Sequence, residues 1–139
     1  MEDRKEGLAA LERALDVSFE NRALLEEALT HRSFVNENPE SGARDNQRLE
    51  FLGDAFLGLA VGDWLFRRFS EAQEGELTSL RAWIVCTESL AAIARELALG
   101  EHLRLGRGEE ASGGAERPAN LCAAFEAVVG AIYLDQGAE

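Results

Sequence analysis

The chain is poor in the residues that would tie it to several common classes. It has only two cysteines, Cys86 and Cys122. They are too few and too far apart for a zinc knuckle or a disulfide framework, and both lie in apolar stretches, so buried free thiols are expected. Two prolines in 139 residues leave room for long helices. No uninterrupted apolar run approaches the roughly 18 residues of a membrane span. Behind the charged start Met1-Glu2-Asp3-Arg4-Lys5-Glu6 there is no apolar signal-peptide core. A soluble, cytoplasmic protein of one domain is expected, with no membrane partner. Basic charge is also scarce: 14 Lys and Arg stand against 26 Asp and Glu, a net charge of −12. A protein that grips nucleic acid through phosphates alone normally presents a basic surface. Either the domain does not bind nucleic acid, or cations held by its carboxylates offset the repulsion.

What is present is helical periodicity. Leu8, Leu11 and Leu15 recur at spacings of three and four, one buried face. Asn21 fits the N-cap of a helix carrying Leu24, Leu25, Ala28 and Leu29, and residues 36–45 read as a loop. From Asn46 to Phe69 runs the longest apolar segment, interrupted by Gly53, Gly58 and Gly62. Glycine inside a helix costs about 1 kcal/mol relative to alanine, so something must approach this helix closely, most simply another helix. Ser70 to Gly75 reads as a polar turn and Leu77 to Val85 as an amphipathic helix. Thr87 fits the N-cap of a helix to Leu99, with Gly100 as its C′ residue. Residues 106–119 read as a glycine-rich loop without a phosphate-binding pattern, and Leu121 to Leu134 as a central helix. No strand-like alternation stands out, which gives an all-α fold class. His31 and His102 read as structural or surface groups, and Trp64 and Trp83 as core or interface.

Three carboxylates stand out from their surroundings. Glu50 and Asp54 are four residues apart, on one face of one helix, among Leu49, Phe51, Leu52 and Phe56. Glu126 lies in the most hydrophobic stretch, between Ala123-Ala124-Phe125 and Ala127-Val128-Val129. Carboxylates in such places need a partner or a raised pKa. Arg32, Arg48 and Arg81 could supply one. Alternatively the three converge on a hard cation, and oxygen-only ligation completed by water suits Mg²⁺. Periodicity does not choose between these.

Asn46-Gln47-Arg48-Leu49-Glu50-Phe51-Leu52-Gly53-Asp54-Ala55 closely resembles the signature motif of the ribonuclease III family. Leu29-Thr30-His31-Arg32-Ser33, Glu74-Gly75-Glu76-Leu77-Thr78 with Arg81, Glu101 to Gly106, Ser112-Gly113-Gly114 and the stretch Ala124 to Asp135 are similar to its other blocks. The resemblance spans roughly residues 8–137. It implies a helical endonuclease domain over residues 1–139, without the family's last helix and C-terminal RNA-binding domain. It implies a Mg²⁺-dependent homodimer, with Mn²⁺ as a substitute and no small-molecule cofactor, that cleaves double-stranded RNA during RNA processing. By the same resemblance Glu50, Asp54 and Glu126 are metal-site and catalytic carboxylates. Glu74 is a further acidic residue, and Phe51 packs at the dimer contact. Gln47 stands where many members carry glutamate. Ala123 stands where the family normally has an aspartate, one turn before Glu126 and on the same face. That departure keeps open a second reading, a catalytically silent RNA-binding or ribonucleoprotein scaffold domain. A plain dimerisation module is a third.

Overall fold

The structure, a computed structural model, describes residues 2–138. Among these residues eight α-helices follow in chain order: α1 (Glu2–Leu15), α2 (Arg22–Ala28), α3 (Arg32–Glu37), α4 (Gln47–Arg68), α5 (Glu74–Ile84), α6 (Thr87–Glu96), α7 (Arg107–Ala111) and α8 (Pro118–Gln136). Short 3₁₀ turns at Pro39–Ser41, Leu99–His102 and Gly114–Glu116 connect them. Among the described residues extended pairing is confined to one isolated bridge, Thr30 with Arg104. The fold is all-helical, as the periodicity predicts.

Helix α8 is the axis of the domain. It packs against α4, α6 and α2, and its Leu121, Ala124, Ala127, Val128 and Ala131 join Leu25, Leu29, Leu49, Ala91, Ala94 and Leu99 in one core. A helix apolar on most faces is stable in water only when neighbours surround it. Leu8 and Leu11 of α1 complete the core from the other side. The end of α1 is held by Glu12, a buried carboxylate that pairs with Arg22 and accepts a hydrogen bond from Phe19 N at 2.7 Å. Asn21 caps α2 as its type predicts, its side chain accepting from Ala23 N at 3.1 Å.

Local expectations differ from the fold in several places. Thr87 is the first residue of α6, not its cap; Cys86 occupies the cap position without a side-chain hydrogen bond. The helix ends at Glu96, and Ala98, with φ 56°, turns the chain into the following 3₁₀ turn. Gly100 lies inside that turn because a Cβ there would overlap the Ala115 carbonyl. Residues 106–119 are not a loop but contain α7 and a 3₁₀ turn, held by Arg117, which pairs with Glu109 and donates to Ser112 O at 3.0 Å. Side chain-to-backbone bonds of this kind are invisible to periodicity. Residues 36–45 likewise contain the end of α3 and a 3₁₀ turn, closed by Gly42 at φ 75°. His31 caps α3, its Nδ1 accepting from Ser33 N at 3.1 Å, and His102 packs its ring against Gly7. Cys122 is buried, whereas Cys86 is only half-buried. Trp64 and Trp83 are not core residues of this chain; Trp83 is 74% exposed.

Candidate metal centre

The site begins with a helix crossing. A Cβ on Gly53 of α4 would overlap the Glu126 carbonyl of α8, and a Cβ on Gly130 of α8 would overlap the Leu49 carbonyl of α4. Each glycine therefore receives the backbone of the opposite helix. The expected close approach is real at Gly53. Gly58 has open space around its α-carbon, and Gly62 meets only the Arg81 side chain.

This crossing sets Glu50 and Asp54, one turn apart on α4, beside Glu126 of α8. All three line one hollow of about 510 Å³ together with Gln47 and Phe51. Glu50 is half-buried, Asp54 exposed, and Glu126 only 8% exposed. Glu126 accepts from the Cys122 thiol, whose Sγ lies 3.7 Å from Oε1, and the Asp54 carboxyl is near enough to perturb it. Burial pushes the Glu126 carboxyl up to about 7, and the hydrogen bond and charge of Asp54 and the charge of Glu50 add to the rise. Glu50 is raised too, first by burial and then by the charges of Asp54 and Asp45. Burial and the neighbouring Glu126 push the Cys122 thiol up to about 12, so it remains a neutral donor.

Among the described residues the ion pairs join Arg4, Arg22, Arg67, Arg104 and Arg117 to Glu26, Glu12, Asp63 and Glu109; none reaches Glu50, Asp54 or Glu126. Three carboxylates thus crowd one hollow without a basic partner, an arrangement that a bound cation relieves. The donor set fits Mg²⁺ in type, being all oxygen. In placement the described residues offer no group of three His, Cys, Asp or Glu side chains close enough to hold an ion. Mg²⁺ keeps several waters and is usually held by one or two carboxylates, so the hollow accommodates it without a closed protein cage. Ala123, half-buried one turn before Glu126, is not among the residues that line the hollow.

The remaining candidates are distributed unevenly. Gln47 lines the hollow. Glu74 does not: it starts α5 and lines a separate cleft of about 390 Å³ with Gly62, Asp63, Phe66 and Arg81. Phe51 stands on the rim, 78% exposed. Asp45 and Asn46 were not singled out by sequence reasoning. Asp45 Oδ1 accepts from Gln47 N at 3.0 Å and its charge reaches Glu50, while Asn46 is buried behind the start of α4. An Asp-Asn pair directly before a helix is the cap signal that could have marked both.

Fold and hollow together define an all-helical domain with an uncompensated acidic centre between two crossed helices. The Ribonuclease-III-like family model matches residues 21–139. Ribonuclease 3 of Pelotomaculum thermopropionicum is 54% identical over 139 residues, covering 100% of this chain and 58% of that protein. Ribonuclease 3 of Oceanobacillus iheyensis is 57% identical over 127 residues, covering 91% of this chain and 56% of that protein. A solved nuclease domain of ribonuclease III from Campylobacter jejuni, with structural flexibility in a region involved in dimer formation, superposes with a TM-score of 0.86 at 44% identity. That alignment covers 93% of this chain and 86% of the solved one. The chain belongs to the ribonuclease-III-like family. It spans just over half the length of these curated relatives.

Proposed function

We propose that this domain is a Mg²⁺-dependent endoribonuclease that cleaves double-stranded RNA, and that it works in the cytoplasm as a homodimer. The observation that carries this reading is the unpaired Glu50, Asp54 and Glu126 hollow in a chain of net charge −12. A phosphodiester cannot approach such a surface unless cations intervene. Glu50, Asp54 and Glu126 would hold the ion, one or two of them directly and the rest through its waters, with Mn²⁺ as a substitute. When bound, the ion supplies an activated water and offsets charge on the phosphate in transit. Glu50 and Asp54 are positioned by α4, and the Cys122 thiol holds one oxygen of Glu126. Gln47, on the same rim, offers an amide to a backbone oxygen. Glu74 belongs to the α4–α5 cleft and is a peripheral acidic group of the chain taken alone.

Self-association rests on a second observation. Phe51, Leu59 and Phe66 project from one face of α4 at helical spacing, and each is more than two-thirds exposed. Such a stripe on a folded domain marks a contact surface. Among the described residues no single helix is long and apolar enough to cross a membrane.

Incubation with a long RNA duplex in Mg²⁺ tests the reading, with Glu126→Gln as the comparison. Cleavage by the wild type and its loss in the variant are expected; cleavage indifferent to the change removes the proposal. The second reading, a silent domain that binds structured RNA, is favoured by Ala123 alone. It requires RNA retention without cleavage by either protein.

A further inference from the structure

We infer that Asn46 is a positioning residue for the acidic centre, through a buried amide tie that locks the start of α4 to the end of α2. The inference rests on the metal reading above. Asn46 occupies the N-cap position of α4, yet its side chain does not cap that helix. The role falls to Asp45, which accepts from Gln47 N. The Asn46 amide instead reaches across the domain, Nδ2 donating to Ala28 O at 3.1 Å, and its backbone N–H donates to Thr30 O at 2.9 Å.

These two bonds satisfy carbonyls at and just beyond the C-terminus of α2. Glu27 O accepts from Thr30 N, Glu26 O from Thr30 Oγ1 and Leu29 O from Arg104 N. Ala28 O and Thr30 O are the two left over, and Asn46 takes both. Buried carbonyls at a helix end need such partners, so the tie has one register. Because Asn46 O in turn accepts from Glu50 N at 2.8 Å, the first turn of α4 is anchored directly to this knot. Gln47 and Glu50 lie on that turn, and Asp54 lies one turn further on. The glycine crossing fixes how closely α4 approaches α8. Asn46 fixes where α4 begins along that approach, and so the height of Glu50 relative to Glu126.

Outer groups that orient metal ligands typically contribute about 10- to 100-fold in affinity or activity. Mn²⁺ binding by the whole chain, titrated at a temperature where every variant is folded, tests the inference. Asn46→Ala keeps the backbone bond to Thr30 but loses the amide tie, and should raise the half-saturating Mn²⁺ about tenfold. Thr30→Val removes the hydroxyl bonds to Glu26 and Arg104 on the far side of the same knot, and should lower the melting temperature without moving the Mn²⁺ midpoint. If Asn46→Ala does not fold, Asn46→Ser, whose hydroxyl is too short for Ala28 O, carries the same comparison. A folded Asn46 variant with a wild-type Mn²⁺ midpoint overturns the inference. Glu50→Ala serves as the control: an unchanged midpoint there would bring down the metal reading, and with it this inference.

Discussion

The two faces of α4 are almost equally apolar and have opposite fates. The inner face presents Leu49 and Gly53 to α8, and both are buried. The outer face presents Phe51, Leu59 and Phe66, exposed at 78%, 72% and 71%. A helix that buries one apolar face in its own domain and displays another has two faces to cover, and among the described residues only the first is covered. The buried face holds glycine where backbones touch; the displayed face holds large side chains that would fill a partner. The acidic hollow lies where the two meet, so its geometry depends on the first face and its setting on the second.

Breaking the inner face should have the largest effect. Gly53→Ala or Gly130→Ala places a methyl group on a backbone carbonyl of the opposite helix, which no rotamer change relieves. Destabilisation of about 3 kcal/mol is expected in urea unfolding. An alanine tolerated within about 0.5 kcal/mol at Gly53 would mean that the helices are not in contact there. The same change at Gly58, which meets no atom, should be neutral or slightly stabilising.

Restoring a carboxylate beside Glu126 sharpens the site that the inner face builds. Ala123→Asp should tighten Mn²⁺ binding and raise duplex cleavage about tenfold, as expected of a group that tunes a metal centre. No gain in either quantity would mean that position 123 does not face the ion.

The outer face is probed by Phe51→Ser. Sizing should show a shift from dimer to monomer, while monomer stability changes by less than about 0.5 kcal/mol, the usual range for an exposed position. A monomer insensitive to the change in size, or a large loss of monomer stability, contradicts the assignment of this face to a partner.

The smallest expected effect is on pH dependence. Folding raises the Glu126 pKa from its ordinary 4.5 to about 7, so the folded chain binds that proton more tightly than the unfolded one. Stability from this group is therefore present below about pH 4.5 and is lost as pH climbs to about 7. Without divalent cations the melting temperature should fall across that interval. Glu126→Gln should flatten the slope, and Mg²⁺ should reverse the loss at neutral pH. A slope unchanged in the variant assigns the titration to other groups.

Much of this was legible in the order of residues. Leucine spacing marks α1, α2 and α8 as helices with buried faces, and the type of Asn21 marks a cap. Three carboxylates in apolar stretches mark themselves as costly, and their motif places the chain in its family. The order of residues did not say which apolar side chains are inside. Trp64 and Trp83 have the spacing of core residues, but among the described residues nothing buries either ring. Nor did it find α7, which depends on Arg117 bonding back to Glu109 and Ser112 across an intervening turn. Helical composition and the cost of carboxylates in apolar stretches follow from the sequence by itself, because periodicity and desolvation cost are properties of residue type and spacing. The rest was decided by tertiary structure, because it depends on which backbones touch. The helix crossing at Gly53 and Gly130 brings Glu126 to Asp54 and leaves Glu74 in another cleft. The distant carbonyl of Ala28 gives Asn46 its buried partner.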